Sequence, residues 1–110
     1  MLRRTALKPK RRYKPVELER FHGWVADHGC LVCERLATVH HVRGYADKPG
    51  SITKNHWLIV PLCPRHHLIQ HGPHNSVEAL GHQGFYQVHG IDLYQEAMNF
   101  AEIWKRRMAA

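Results

Sequence analysis

Four soft metal ligands occur as two pairs of identical spacing, Cys30 with Cys33 and Cys63 with His66. Two intervening residues let a tight turn aim both side chains at one ion, and two such turns complete a tetrahedron of three thiolates and one imidazole. The set uses every cysteine in the chain. Three is an odd number for a disulfide framework, so a structural Zn²⁺ knuckle is the expected use. Isolated buried thiols are the plainer alternative, but they give no reason for the repeated spacing. Twenty-nine residues separate the two pairs, too many for a ββα zinc finger, which has about a dozen.

That interval contains His40 and His41, and His67 and His71 follow the second pair. Adjacent side chains on a strand point to opposite faces, so one of His40 and His41 can face a metal while its neighbour stays free to act as a base. Residues four apart on a helix share a face, so His67 and His71 can present two imidazoles to one cation. His66 and His67 should diverge, one toward the knuckle and one toward a second site. The other histidines, His22, His28, His56, His74, His82 and His89, read as polar surface residues.

The elements that must position these groups form an α+β pattern. Pro15 suits the first turn of a helix over about 16 to 28, where Leu18, Phe21, Trp24 and Val25 recur at helical spacing before Gly29. A turn at 30 to 33 leads to a strand over 38 to 43. A loop rich in Gly, Asp, Pro and Asn spans 44 to 55, and a second strand over 57 to 60 is ended by Pro61. A short helix is predicted from Pro64 to His71, closed by Gly72 and Pro73. The segment from 76 to 107 reads as helical: Ser76 caps a turn through Leu80, a second piece covers 83 to 89 before Gly90, and Asp92 caps a last helix. Leu93, Ala97, Phe100, Ala101 and Trp104 form the packing face of that helix.

The net charge of +7 resides in one place. Arg3, Arg4, Lys8, Lys10, Arg11, Arg12 and Lys14 precede any acid, and the other basic and acidic residues cancel. Residues 1 to 14 therefore read as a basic arm, and 15 to 110 as one domain with its core motif at 30 to 72. The arm gains free energy by releasing counterions from a polyanion, which makes nucleic acid the leading partner and an anionic membrane surface the alternative. No apolar run is long enough to span a membrane, and no signal peptide follows the basic start, so a cytoplasmic location is expected.

The series Cys30, Cys33, His40, His41, Arg43, Asn55, then Pro61 to Cys63, His66, His67 and His71, resembles the HNH (ββα-metal) endonucleases. It is most similar to the phage-associated nucleases of the recombination-enhancement type, which share a PLCxxHH signature and a basic amino-terminal arm. The likeness covers about residues 30 to 72, and the arm more loosely. It implies a small ββα-metal core with a structural zinc knuckle, flanked by helices, and metal-dependent hydrolysis or nicking of DNA. His40, His67 and His71 would hold a catalytic Mg²⁺ or Mn²⁺, for which Zn²⁺ or Ni²⁺ can substitute, and His41 would be the general base. Cys30, Cys33, Cys63 and His66 match the zinc ligands. Asn55 would be the middle residue that orients the base, a role that His56 could take instead. The arm, Arg43 and Arg65 would grip the phosphate backbone, and a recombination or phage protein is the further partner implied. A zinc-dependent nucleic-acid-binding module without catalysis is the competing reading; it accounts for the cysteines but not for the histidines.

Overall fold

The computed structural model describes residues 15–42 and 56–109; the basic arm through Lys14, Arg43 and Asn55 lie outside the described residues. Six elements follow in order: α1 Pro15–Ala26, β1 Thr38–His41, β2 Ile59–Leu62, α2 Pro64–His67, α3 Val77–His89 and α4 Leu93–Ala109. The fold is a small α+β arrangement in which helices flank a two-stranded antiparallel sheet.

The register pairs Thr38 with Leu62, Val39 with Pro61, His40 with Val60 and His41 with Ile59. One step beyond, the Val42 amide donates to the Leu58 carbonyl at 2.8 Å. Antiparallel pairs alternate between hydrogen-bonded and non-hydrogen-bonded sites, which makes Val39 and Pro61 a non-hydrogen-bonded pair. Pro61 therefore sits inside β2 rather than ending it, as the sequence predicted. Its missing N–H would have pointed away from β1, and its carbonyl accepts from the Leu31 amide at 3.1 Å.

Each face of this sheet carries its own core. Val42, Val60 and Leu62 pack with Cys30, Cys63, Val77, Phe85, Leu93 and Ala97. On the opposite face, Ile59 packs with Phe21, Val25, Phe100 and Trp104, and Val39 and Trp57 join at the margin. The two-residue period of the strands produces this sorting. α4 serves both cores, Leu93 and Ala97 entering the first and Phe100 and Trp104 the second. Burying each such large side chain is worth roughly 1.5–3 kcal/mol, so this helix holds the two layers together.

The helical third follows its expected punctuation. The Ser76 hydroxyl accepts from the Ala79 amide at 3.2 Å, and Gly90 closes α3 in a left-handed conformation. The Asp92 carboxylate accepts from the Gln95 amide at 3.1 Å at the start of α4. Within α3, Gly81 adopts φ 73 and ψ 170, a region open essentially to glycine alone. The resulting kink makes α3 two short helices, as the separate pieces at 76–80 and 83–89 predicted.

Candidate functional site

Cys30 follows Gly29, and the two begin a tight turn. The Cys30 amide donates to the Arg35 carbonyl at 2.9 Å, and the Glu34 amide donates to the Cys30 carbonyl at 2.9 Å. A Cβ at Gly29 would meet the Glu34 carbonyl oxygen at 2.8 Å, and its φ of +80 is left-handed, so the turn requires glycine there. The Val32 amide points at Cys30 Sγ from 3.4 Å. The second turn belongs to α2: the Cys63 carbonyl accepts from the His66 and His67 amides at 3.0 and 2.9 Å. The bond from Leu31 to Pro61 brings the two turns together.

Four ligand atoms converge as a result. Cys33 Sγ lies 3.5 Å from Cys63 Sγ, Cys63 Sγ 3.2 Å from His66 Nδ1, and Cys30 Sγ 3.6 Å from the same nitrogen. All four ligand atoms fall within 4.8 Å of one another. A tetrahedral ion bound at about 2.3 Å to sulfur and 2.0–2.1 Å to nitrogen needs edges of about 3.5–3.8 Å. The cluster could hold a metal ion and suits zinc. Burial works against the Cys30 thiolate, but N–H groups of Cys63, Cys33 and Val32 outweigh it and lower its pKa. Burial and the adjoining Cys33 thiol push Cys63 up. Burial, followed by His89, Arg35 and Arg65, lowers the His66 pKa and favours the neutral imidazole that a metal requires.

The next histidines divide between the two faces of the sheet. On the face toward α3, His40 Nε2 lies 3.1 Å from His82 Nε2, and the His40 and His67 ring centroids are 4.9 Å apart. Burial, with His67, His82 and His41 nearby, lowers the His40 pKa to about 3. His67 Nδ1 is 3.3 Å from Thr38 Oγ1. Burial lowers its pKa too, although Glu78 opposes the shift.

On the face toward α1, His41 Nε2 lies 3.2 Å from His56 Nδ1. His22 Nε2 donates to the His56 carbonyl at 2.8 Å, and the rings of His22 and His41 are 5.6 Å apart. Burial, then His22, His56 and His67, lowers the His41 pKa. A neutral His41 that donates from Nε2 to His56 keeps the lone pair on Nδ1, the protonation state a base needs.

Comparison with protein-family models, with curated proteins and with solved structures returned no match.

The four knuckle residues come together as their spacing predicts, and His40 and His41 diverge as strand alternation requires. His66 and His67 diverge as well. His71 is a correction. α2 stops at His67 because Leu68 is extended, at φ -106 and ψ 133, so no continuous helix holds His71 one turn above His67. His71 instead lines a cavity with Cys33, Arg35, Arg65 and His66. Among the described residues, the Cys₃His set alone brings three or more ligand atoms within 4.8 Å; His40, His67 and His71 do not form such a set.

Sequence reasoning passed over His82 and His22, and offered His56 only as the alternative to Asn55. The one local signal for His82 is Gly81, whose kink re-aims the chain at that point. His22 follows the core residue Phe21 and stands beside the buried face of α1, where a polar ring has a neighbour to meet. Arg65 is exposed on α2.

Proposed function

We propose that the protein is a metal-dependent DNA endonuclease of the HNH type, with His41 as the general base and a structural zinc in the Cys₃His cluster. One observation carries this reading. β1 places His40 in an imidazole cluster on one face and a hydrogen-bonded His41 on the other, next to a cluster with zinc-knuckle geometry. β1 is an edge strand among the described residues, so a phosphodiester lying along it can reach both faces.

In this reading His40, His67 and His82 would hold the catalytic cation. The three rings adjoin without converging, so a shared ion requires them to close in by side-chain rotation. A divalent cation, Mg²⁺ or Mn²⁺, would supply charge stabilisation for the scissile phosphate and leaving oxygen. His41 takes the proton of the attacking water at Nδ1, while His56 fixes its ring through Nε2. His22, through the His56 carbonyl, holds that partner in place. The contact with His41 favours His56 for the orienting role that the resemblance gave to Asn55.

A non-catalytic zinc-dependent nucleic-acid-binding module remains the second reading. It is favoured by the Cys₃His set being the one tight ligand group among the described residues. Plasmid nicking measured with Mg²⁺, Mn²⁺, Ni²⁺ and Zn²⁺ separates the two. Cleavage that depends on both the ion and His41 supports the nuclease, and DNA binding without nicking in any ion supports the module.

A further inference from the structure

We propose that the cavity between the Cys₃His cluster and the 71–75 turn binds one phosphate of a nucleic-acid backbone, held by Arg35 and Arg65. The cavity has a volume of about 380 Å³; Cys33, Arg35, Arg65, His66, His71 and His74 line it, and no carboxylate does. Neither arginine forms an ion pair among the described residues, where the one such pair joins Arg106 to Glu102.

The simplest competing role for the two arginines is to balance the thiolates. Three thiolates and a neutral imidazole around Zn²⁺ leave a single negative charge, whereas two guanidiniums supply two positive ones. Both act electrostatically on His66, so both lie near the cluster, and a positive excess remains facing the cavity. Guanidinium geometry matches the oxygens of a phosphate.

The walls are fixed by backbone contacts. A Cβ at Gly72 would stand 1.8 Å from the Arg65 carbonyl oxygen, so the chain after α2 lies directly against Arg65. The Gly72 amide donates to the Leu68 carbonyl at 2.9 Å. At the far end of the turn, His89 Nε2 donates to the Asn75 carbonyl at 2.9 Å.

α2 is a single turn. Arg65 and His66 line the cavity, while His67 meets His40 on the other side. A strand crossing this turn would present one phosphate to the histidine cluster and a flanking one to the arginines. The proposal rests on the nuclease reading for the identity of its polyanion.

The test uses the full chain carrying one equivalent of zinc and no other divalent ion, so that the Cys₃His cluster is filled and no further ion is left to support cleavage. Duplex affinity is measured across salt for the wild type, R35Q, R65Q, the double variant, and R106Q as a control. Zinc content and circular dichroism verify that each variant is folded. The double variant should lower the slope of log Kobs against log salt by about 0.9, the share of one phosphate, and R106Q should leave it unchanged. Inorganic phosphate should shift the Arg35 and Arg65 Nε–Hε resonances of the wild type and lose its effect on the His71 and His74 rings in the double variant.

An unchanged slope overturns the proposal, even if free phosphate still binds. A fall of about 1.8 also overturns it, since the arginines would then hold separate phosphates. Nicking is scored independently. An arginine-dependent slope without nicking removes the nuclease reading and leaves this site standing, and nicking with an unchanged slope does the reverse.

Discussion

His82 Nε2 stands 3.1 Å from His40 Nε2 although 42 positions separate them in the chain. The contact joins the second half of the kinked helix α3 to the edge strand β1, and Gly81 supplies the backbone conformation that makes it possible. His71, much nearer to His67 in sequence, lines the cavity beside Arg65 and His66 instead.

This exchange of partners yields the first prediction. His82→Ala should weaken Mn²⁺ binding about tenfold or more, the usual scale for disturbing a metal site's surroundings, whereas His71→Ala should leave it near the wild-type value. Titration calorimetry on the zinc-loaded protein measures both. The reverse order of effects would return His71 to the ligand set.

His41→Ala should abolish nicking while zinc content and DNA affinity stay close to wild type. General-base removal commonly costs about 10²–10⁴-fold in rate, which a plasmid-relaxation time course resolves. Rates within a factor of two or so would assign the base elsewhere.

Replacing Cys63 with Ser should unfold the domain. Cys63 is 3 % exposed and belongs to the first core as well as to the ligand cluster. Structural zinc can contribute about 10 kcal/mol or more to folding. Removal of zinc by a chelator should therefore collapse the cooperative melt of the wild type, and a melt indifferent to the chelator would exclude a structural metal.

The half-buried histidines make stability dependent on pH, with a definite sign. The pKa of His40 falls from 6.5 to about 3 on folding, so between those values the unfolded chain binds a proton that the folded one refuses. Stability is complete above the unfolded value and is lost as pH falls toward the folded one, at up to about 1.4 kcal/mol per pH unit. His41, His66 and His67 shift in the same direction. Denaturant melts from pH 7 to 5 should give a shallower pH slope for His40→Gln than for the wild type; identical slopes would mean that His40 is accessible to protons.

Deleting residues 1 to 14 should weaken duplex binding and flatten its salt dependence. Seven basic residues leave with that segment, each able to neutralise one phosphate at about 0.9 in the log–log slope. Fluorescence anisotropy across a salt series reads the change, and an unaltered slope would show that these charges do not touch DNA.

Much was legible from local rules. The two-residue spacing of Cys30 with Cys33 and of Cys63 with His66 announced the ligand cluster, because each pair needs only one tight turn. Strand alternation separated His40 from His41. Ser76, Gly90 and Asp92 marked helix ends because capping depends on groups within a few residues. The same kind of rule misjudged Pro61, since whether a missing N–H matters depends on which pair of the ladder it occupies. It also misjudged α2, since i,i+4 spacing guides contacts only while the helix continues, and this one ends at His67.

By itself, then, the sequence determined the α+β class, the concentration of positive charge before residue 15, the four converging ligands and the opposed pair on β1, all of which follow from residue types and spacing over short stretches of chain. Only the tertiary structure decided that His82 rather than His71 meets His40, that His56 and His22 gather around His41, and that Arg35 and Arg65 face a common cavity. Those contacts join segments far apart in the chain. They exist because the two cores, bridged by α4, fix how the helices pack on each side of a sheet only two strands wide, and no local periodicity encodes that packing.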